Sequence, residues 1–258
     1  MSVILQKAIS SHQTGNINEA YQLYLQHLQQ FPEDLQAYEL LGTLLLNHGQ
    51  FREAIKAFNI IYQYRPSDSK NLQQLVQCYS QIGETAQAQQ YLNKLVDLVG
   101  LKKDTLKLQV LLYQTQMKTA EALTSLKAYL DKHRHDYDVW LMMGDLLSDA
   151  KDYYGAIAAF AKAVALKPKA IVARHNLALA YRLAGKPEVA LQHYQKVLNA
   201  GNDSFQLMHN LGNAYADLGR LEEAVKYYEK ALSKNLAYVD SHKNLNALYW
   251  ELEAVDLC

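Results

Sequence analysis

The chain has 258 residues, 50% of them hydrophobic and 20% charged, which excludes a disordered polypeptide and leaves room for one large domain or two small ones. Eleven glycines and four prolines are too few turn formers for a sandwich or barrel, so helices are expected. The 26 basic and 26 acidic residues also balance within each half (13 against 12 as far as Asp136, 13 against 14 beyond it), which leaves neither a basic face for nucleic acid nor an acidic tail.

From the N-terminus, MSVILQKAIS lacks a basic leader, and Gln6 and Lys7 break its apolar start, so no signal peptide is expected. Apolar stretches such as Leu40–Leu46 are far short of a membrane span. An alanine then sets a 34-residue period that runs without a gap through Ala20, Ala54, Ala88, Ala122, Ala156, Ala190 and Ala224. Four residues after each comes a large apolar side chain: Tyr24, Phe58, Leu92, Leu126, Phe160, Tyr194 and Tyr228. Five before it stands Gly15, Gly49, Gly83, Gly185 or Gly219, with Met117 and Lys151 as departures. Twelve after it come the breakers Pro32, Pro66 and Pro168, with Gly100 and Asn202 in other copies.

Each unit therefore reads as a helix, a glycine turn, a second helix and a stop. In the first unit the small residue of the first helix is Ala8; in the second it is Gly42, flanked by Leu40 and Leu46. The third carries Cys78, expected as a small buried hydrophobe. The fourth presents Leu108 and Leu111 and ends in Lys132-His133-Arg134-His135-Asp136, read as a solvated turn because it lacks metal-ligand spacing. The fifth shows Trp140, Met143, Gly144 and Leu147 at helical spacing, with Asp145 and Asp149 on the same helix. The sixth and seventh carry His175 and Asn176, Arg182, Pro187 at a helix start, His209 and Asn210, Gly212 and Asn213. A last helix follows with Lys243 and Asn244; Leu245, Leu248 and Leu252 form its dry side, and Lys243, Glu251, Glu253 and Asp256 its wet one. Small residues facing the recurrent alanine let the paired helices approach closely.

WLMMGDLLSDAKDYYGAIAAFAKAVALKP (140–168) and HNLGNAYADLGRLEEAVKYYEKAL (209–232) resemble tetratricopeptide repeats. The resemblance spans the chain: repeats at 1–34, 35–68, 69–102, 103–136, 137–170, 171–204 and 205–238, then a capping helix at 239–258, all forming a single solenoid. Repeats 1 and 4 depart most, with Lys7 and Gln109 at apolar positions and Arg134 in place of proline. The family implies an all-α, right-handed superhelical solenoid whose first helices line a concave groove. In that groove it would place Asn176, Asn210 and Asn244, one per repeat, beside His175, His209, Asn213, Arg182 and Lys243. An asparagine amide offers both a donor and an acceptor to a peptide unit, and the series is similar to the asparagine ladder of O-linked N-acetylglucosamine transferase repeats. The carboxylate clamp of chaperone-binding members is not matched, since His175 and Leu179 occupy its first slot.

No phosphate loop, nucleophile elbow, C-x-x-C or H-E-x-x-H occurs. The expectation is a non-enzymatic, cytoplasmic scaffold without cofactor or metal, binding a protein or peptide in its groove, with self-association through an exposed end as a further possibility and no nucleic-acid or membrane partner. The alternative is that the chain recruits substrate for a larger enzyme. HKNLNALYWELE (242–253) is similar to the end of repeat arrays that precede iron- and 2-oxoglutarate-dependent oxygenase domains, and such a domain would lie beyond Cys258.

Overall fold

A computed structural model describes the backbone of residues 2–256 and the side chains of residues 2–250; Glu251, Leu252, Glu253, Asp256 and Cys258 fall outside the described side chains. Fifteen helices, and no strand, occur among the described residues. First helices are α1 (Val3–Gln13), α3 (Leu35–Asn47), α5 (Ser69–Gln81), α7 (Lys103–Thr115), α9 (Tyr137–Asp149), α11 (Ile171–Leu183), α13 (Phe205–Ala216) and α15 (Val239–Asp256). Second helices are α2 (Ile17–Gln30), α4 (Phe51–Tyr64), α6 (Thr85–Val99), α8 (Thr119–Lys132), α10 (Tyr153–Leu166), α12 (Pro187–Asn199) and α14 (Leu221–Lys234). From α4 onward every helix starts 34 residues after its counterpart, as the alanine period requires. The chain divides into two compact units, residues 1–126 and 127–258, each with its own core.

All seven register alanines are fully buried, and so are most of the large residues four positions on. What the alanines admit is a ring lying across the first helix. A Cβ added to Gly42 would sit 2.5 Å from Phe58 Cε1, and one on Gly212 would sit 2.6 Å from Tyr228 Cε1. Phe160 covers Gly144 in the same way. Where the first-helix residue is alanine, as at Ala8 and Ala178, the ring is Tyr24 or Tyr194. Where it is Val76, the partner shrinks to Leu92, and the fourth repeat carries Val110 and Leu126 at the same two positions. The two members thus trade size, the bulkiest first-helix residue, valine, facing the smaller leucine in place of a ring.

The turns are equally regular. In all seven, the residue that opens the second helix bonds back to the carbonyl five residues earlier, for example Asn16 to Ser11 at 2.8 Å, Lys118 to Tyr113 at 2.8 Å and Asp152 to Leu147 at 2.9 Å. That closure needs the left-handed conformation at the residue between. Gly15, Gly49, Gly83, Gly185 and Gly219 supply it without steric cost, and the two departures adopt it anyway, Met117 with φ 57° and Lys151 with φ 61°. Ends are set by chemistry that recurs at the same place in the repeat. Asp34, Asp68 and Asp136 cap α3, α5 and α9 by accepting from the amides two and three residues on. Ahead of Pro32, Pro66 and Pro168, the residues Phe31, Arg65 and Lys167 leave helical geometry with φ between −131° and −135°.

Two outcomes follow for stability. Met117→Gly and Lys151→Gly each remove left-handed strain from an exposed side chain and raise unfolding free energy by about 1 kcal/mol in chemical denaturation; no gain in either would show that the turn is not strained. Gly144→Val alone lowers stability by about 1–3 kcal/mol. Adding Phe160→Leu recovers most of that loss, and strict additivity of the two changes would contradict the volume match.

Candidate functional site

Polar side chains on the first helices of residues 127–258 form the densest hydrogen-bonded row outside the cores. α9 contributes Asp145, α11 His175, Asn176 and Arg182, α13 Asn210 and Asn213 with Asp217 just past its end, and α15 Asn244. Each asparagine of the 34-residue series reaches back to the preceding first helix. Asn176 Nδ2 donates to Asp145 Oδ1 at 3.0 Å, Asn210 Nδ2 to His175 Nε2 at 3.0 Å, and Asn244 Nδ2 to Asn213 Oδ1 at 2.8 Å. The first and last link residues 31 apart, and Gln74 Nε2 to Thr43 Oγ1 at 3.2 Å is the same link between α5 and α3. Asn210 turns to His175 because the equivalent acceptor position holds Leu179. Arg182 completes the row with a 3.1 Å ion pair to Asp217.

The groove series therefore also ties neighbouring repeats together, a role not evident from residue type. His175 is half-buried, its ring 5.5 Å from Tyr194, and burial lowers its pKa. Desolvation raises the Asp145 carboxyl, with Asp149 adding to the shift and the Asn176 bond opposing it. Lys243 is exposed. His209, expected beside them, is only 7% exposed: its Nδ1 meets Ser241 Oγ at 2.9 Å, and its ring packs edge-on to Tyr238 at 5.0 Å. The ring fills the seam between α13 and α15 instead of the groove.

Sequence reading treated Tyr24 and Tyr228 as large apolar groups, yet their hydroxyls carry further. Tyr228 OH donates to Asn213 Oδ1 at 2.7 Å and also lies 3.3 Å from the Asn244 amide, while Tyr24 OH meets His12 Nδ1 at 3.2 Å. The alternation of phenylalanine and tyrosine in the periodic series was the available signal. Asp217 was missed for want of any such periodicity.

Other candidates resolve structurally. Leu40, Leu46 and Leu108 are half-buried against the cores of residues 1–126; Leu111 is likewise half-buried. Cys78 is fully buried, and desolvation pushes its thiol up to about 12, as suits an inert core group. In the 132–136 turn, Asp136 caps α9 and the Arg134 carbonyl accepts from Trp140 Nε1 at 2.8 Å. No group of metal-ligating residues occurs among the described residues. Ser2, His27 and Asp34 do line up, with His27 bonded to Ser2 Oγ at 2.8 Å and to Asp34 Oδ2 at 2.7 Å. Both outer members are committed to caps, Ser2 on α1 and Asp34 on α3, and His27 is 2% exposed, so the row staples helix ends. Among the described residues no helix is long and apolar enough to cross a membrane.

Family models described as tetratricopeptide repeat match residues 5–69 and 108–171, 69–98, 171–200 and 206–235. No curated protein sequence matches. Among solved structures, the chain is similar to a tetratricopeptide repeat protein from Parabacteroides merdae ATCC 43184 (TM-score 0.70, 18% identity, covering 95% of this chain and 97% of that one). It is also similar to a chain of the APC/C hetero-tetramer Cut9-Hcn1 (0.59, 15%, 96% and 49%) and to MamA from Desulfovibrio magneticus RS-1 (0.54, 21%, 57% and 84%). At these identities the likeness is one of fold.

His209 generates a pH outcome. Its pKa is lowered from 6.5, chiefly by desolvation, with Asp240 opposing and Arg182 adding to the shift. A depressed folded value means that the unfolded ring takes up its proton first as the solution is acidified. Stability from this residue is complete above about pH 6.5 and is lost as pH falls through the folded value. His209→Asn, which can keep a bond to Ser241 without titrating, makes the fall of Tm below that pH shallower; an unchanged acid limb would refute the assignment.

Proposed function

Because this chain belongs to the tetratricopeptide repeat family, whose fold is typical of protein–protein interaction scaffolds, we propose that it is a non-enzymatic scaffold holding an extended peptide along α9, α11, α13 and α15. The observation that carries this reading is the row Asp145–Asn176, His175–Asn210, Arg182–Asp217 and Asn213–Asn244. Each bond fixes a side chain in one orientation before any ligand arrives, which reduces the entropy that binding must otherwise overcome. One N–H of each ladder amide bonds a neighbouring repeat, and Asn244 turns its second toward Tyr228 OH; the carbonyl oxygens, with the second N–H of Asn176 and Asn210, are the groups offered to a peptide backbone. First helices about 8–10 Å apart match roughly three residues of extended chain. Arg182 and Lys243 add cationic donors, so a peptide with an acidic stretch or free carboxylate suits this part best. His209 supports the wall from behind.

Peptides selected from a displayed library against the whole protein test this directly. Those bound in the groove should lose about 10- to 100-fold in affinity on Asn176→Ala, Asn210→Ala, Asn244→Ala, the loss expected for a few backbone hydrogen bonds. Circular dichroism must match between the two proteins, since the same amides join repeats. Selected peptides that bind the triple variant as well as the parent would place recognition elsewhere and sink the ladder.

A further inference from the structure

A cavity of about 560 Å³ opens among the last turns of α8, the turn that follows it, α9 and α10. None of the groove residues named above lines it. Its floor is apolar, formed by Leu130, Trp140, Met143 and Leu166. The indole is held in place by its N–H bond to the Arg134 carbonyl at 2.8 Å, so its polar edge is satisfied and its apolar body is what the cavity presents. The rim is different. Lys127, Arg134 and Lys162 stand around the floor with Asp131 as the one carboxylate among the lining residues. All three cations are exposed, and no ion pair engages any of them among the described residues. In a chain with no net charge, this is a local positive excess around a hydrophobic floor.

Those features select the ligand's chemistry. A free phosphate would seek backbone amides at the start of α9, but Asp136 already occupies the amides of Asp138 and Val139. A nucleic-acid strand needs cations tracking a backbone over several nucleotides, whereas these cluster around a single cavity. A ligand that matches both parts must carry negative charge on either side of a large apolar group. We propose that this cavity is a second binding site, independent of the groove, for an acidic segment of a partner polypeptide that lays one leucine-sized side chain over Trp140 and sets its flanking carboxylates on Lys127, Arg134 and Lys162.

The test uses the whole protein and a fluorescein-labelled peptide, Glu-Asp-Glu-Leu-Asp-Glu, followed by anisotropy. Binding should weaken as salt rises. Lys127→Glu together with Lys162→Glu should reduce affinity at least about tenfold, as should replacing the peptide's leucine by serine, since each removes one half of the match. Both lysines are exposed, so the variant is expected to keep its helicity. A charge-matched control on exposed lysines outside both sites, Lys56→Glu with Lys118→Glu, should leave affinity within about twofold, which separates this site from a general effect of charge. Undiminished binding by the double-glutamate variant, equal binding of the serine peptide, or an equal loss in the charge-matched control would each overturn the proposal. So would equally tight binding of a single-stranded oligonucleotide of the same charge, which would reduce the site to a patch of cations.

Discussion

Everything in this molecule rests on how closely two helices of one repeat can approach, and that is set by a single pair of side chains. Gly42, Gly144 and Gly212 leave a gap that Phe58, Phe160 and Tyr228 fill with the face of a ring. The buried alanine four residues before each ring lets the second helix come near enough for the ring to reach. Where valine replaces glycine, at Val76, leucine replaces the ring. Interiors packed at crystal-like density tolerate exchanges of volume across a contact far better than changes of its sum. Helix starts and turn closures then recur at the constant spacing of the repeat.

The same spacing determines what the first helices can present. A side chain at the sixth position of one repeat stands beside the ninth of the repeat before, and the pair is polar at Gln74–Thr43, Asn176–Asp145 and Asn244–Asn213. These bonds lie on the exposed side of the seam, where water competes, so each adds modestly to stability. Their larger effect is on order: an amide anchored at one end has fewer orientations to lose. The groove chemistry and the mechanical coupling of repeats are thus carried by the same residues.

Much of this was legible in the sequence. The alanine period and the tetratricopeptide resemblance together put repeat starts at Leu35, Ser69, Lys103, Tyr137, Ile171 and Phe205 and a last helix at Val239, where first helices begin, because the fold repeats a local rule and requires no long-range pairing to be guessed. The turn departures at Met117 and Lys151 were visible as departures, but their left-handed backbone was not, since residue type alone argues against it. Site residues were harder. His175 and His209 hold the same position in successive repeats, yet one meets an asparagine at the groove and the other a serine inside the seam. What separates them is the neighbour each finds on the next helix, which periodicity does not encode. The hydroxyls of Tyr24 and Tyr228 escaped notice for a similar reason: the ring satisfies the packing rule, and the oxygen acts on the paired first helix, at His12 and Asn213.

The ring-and-glycine pair and the amide bridge differ in one respect that bears on how such a chain changes over generations. Both members of the packing pair lie within the same 34 residues, so a duplicated or deleted copy carries its own fit and its internal core needs no compensating substitution. Bridges such as Asn244 to Asn213 join different copies, so the order of copies matters to them. Unequal recombination can therefore lengthen or shorten the array at little structural cost while rewriting the pattern of surface amides, which lets recognition drift quickly on an architecture that hardly moves.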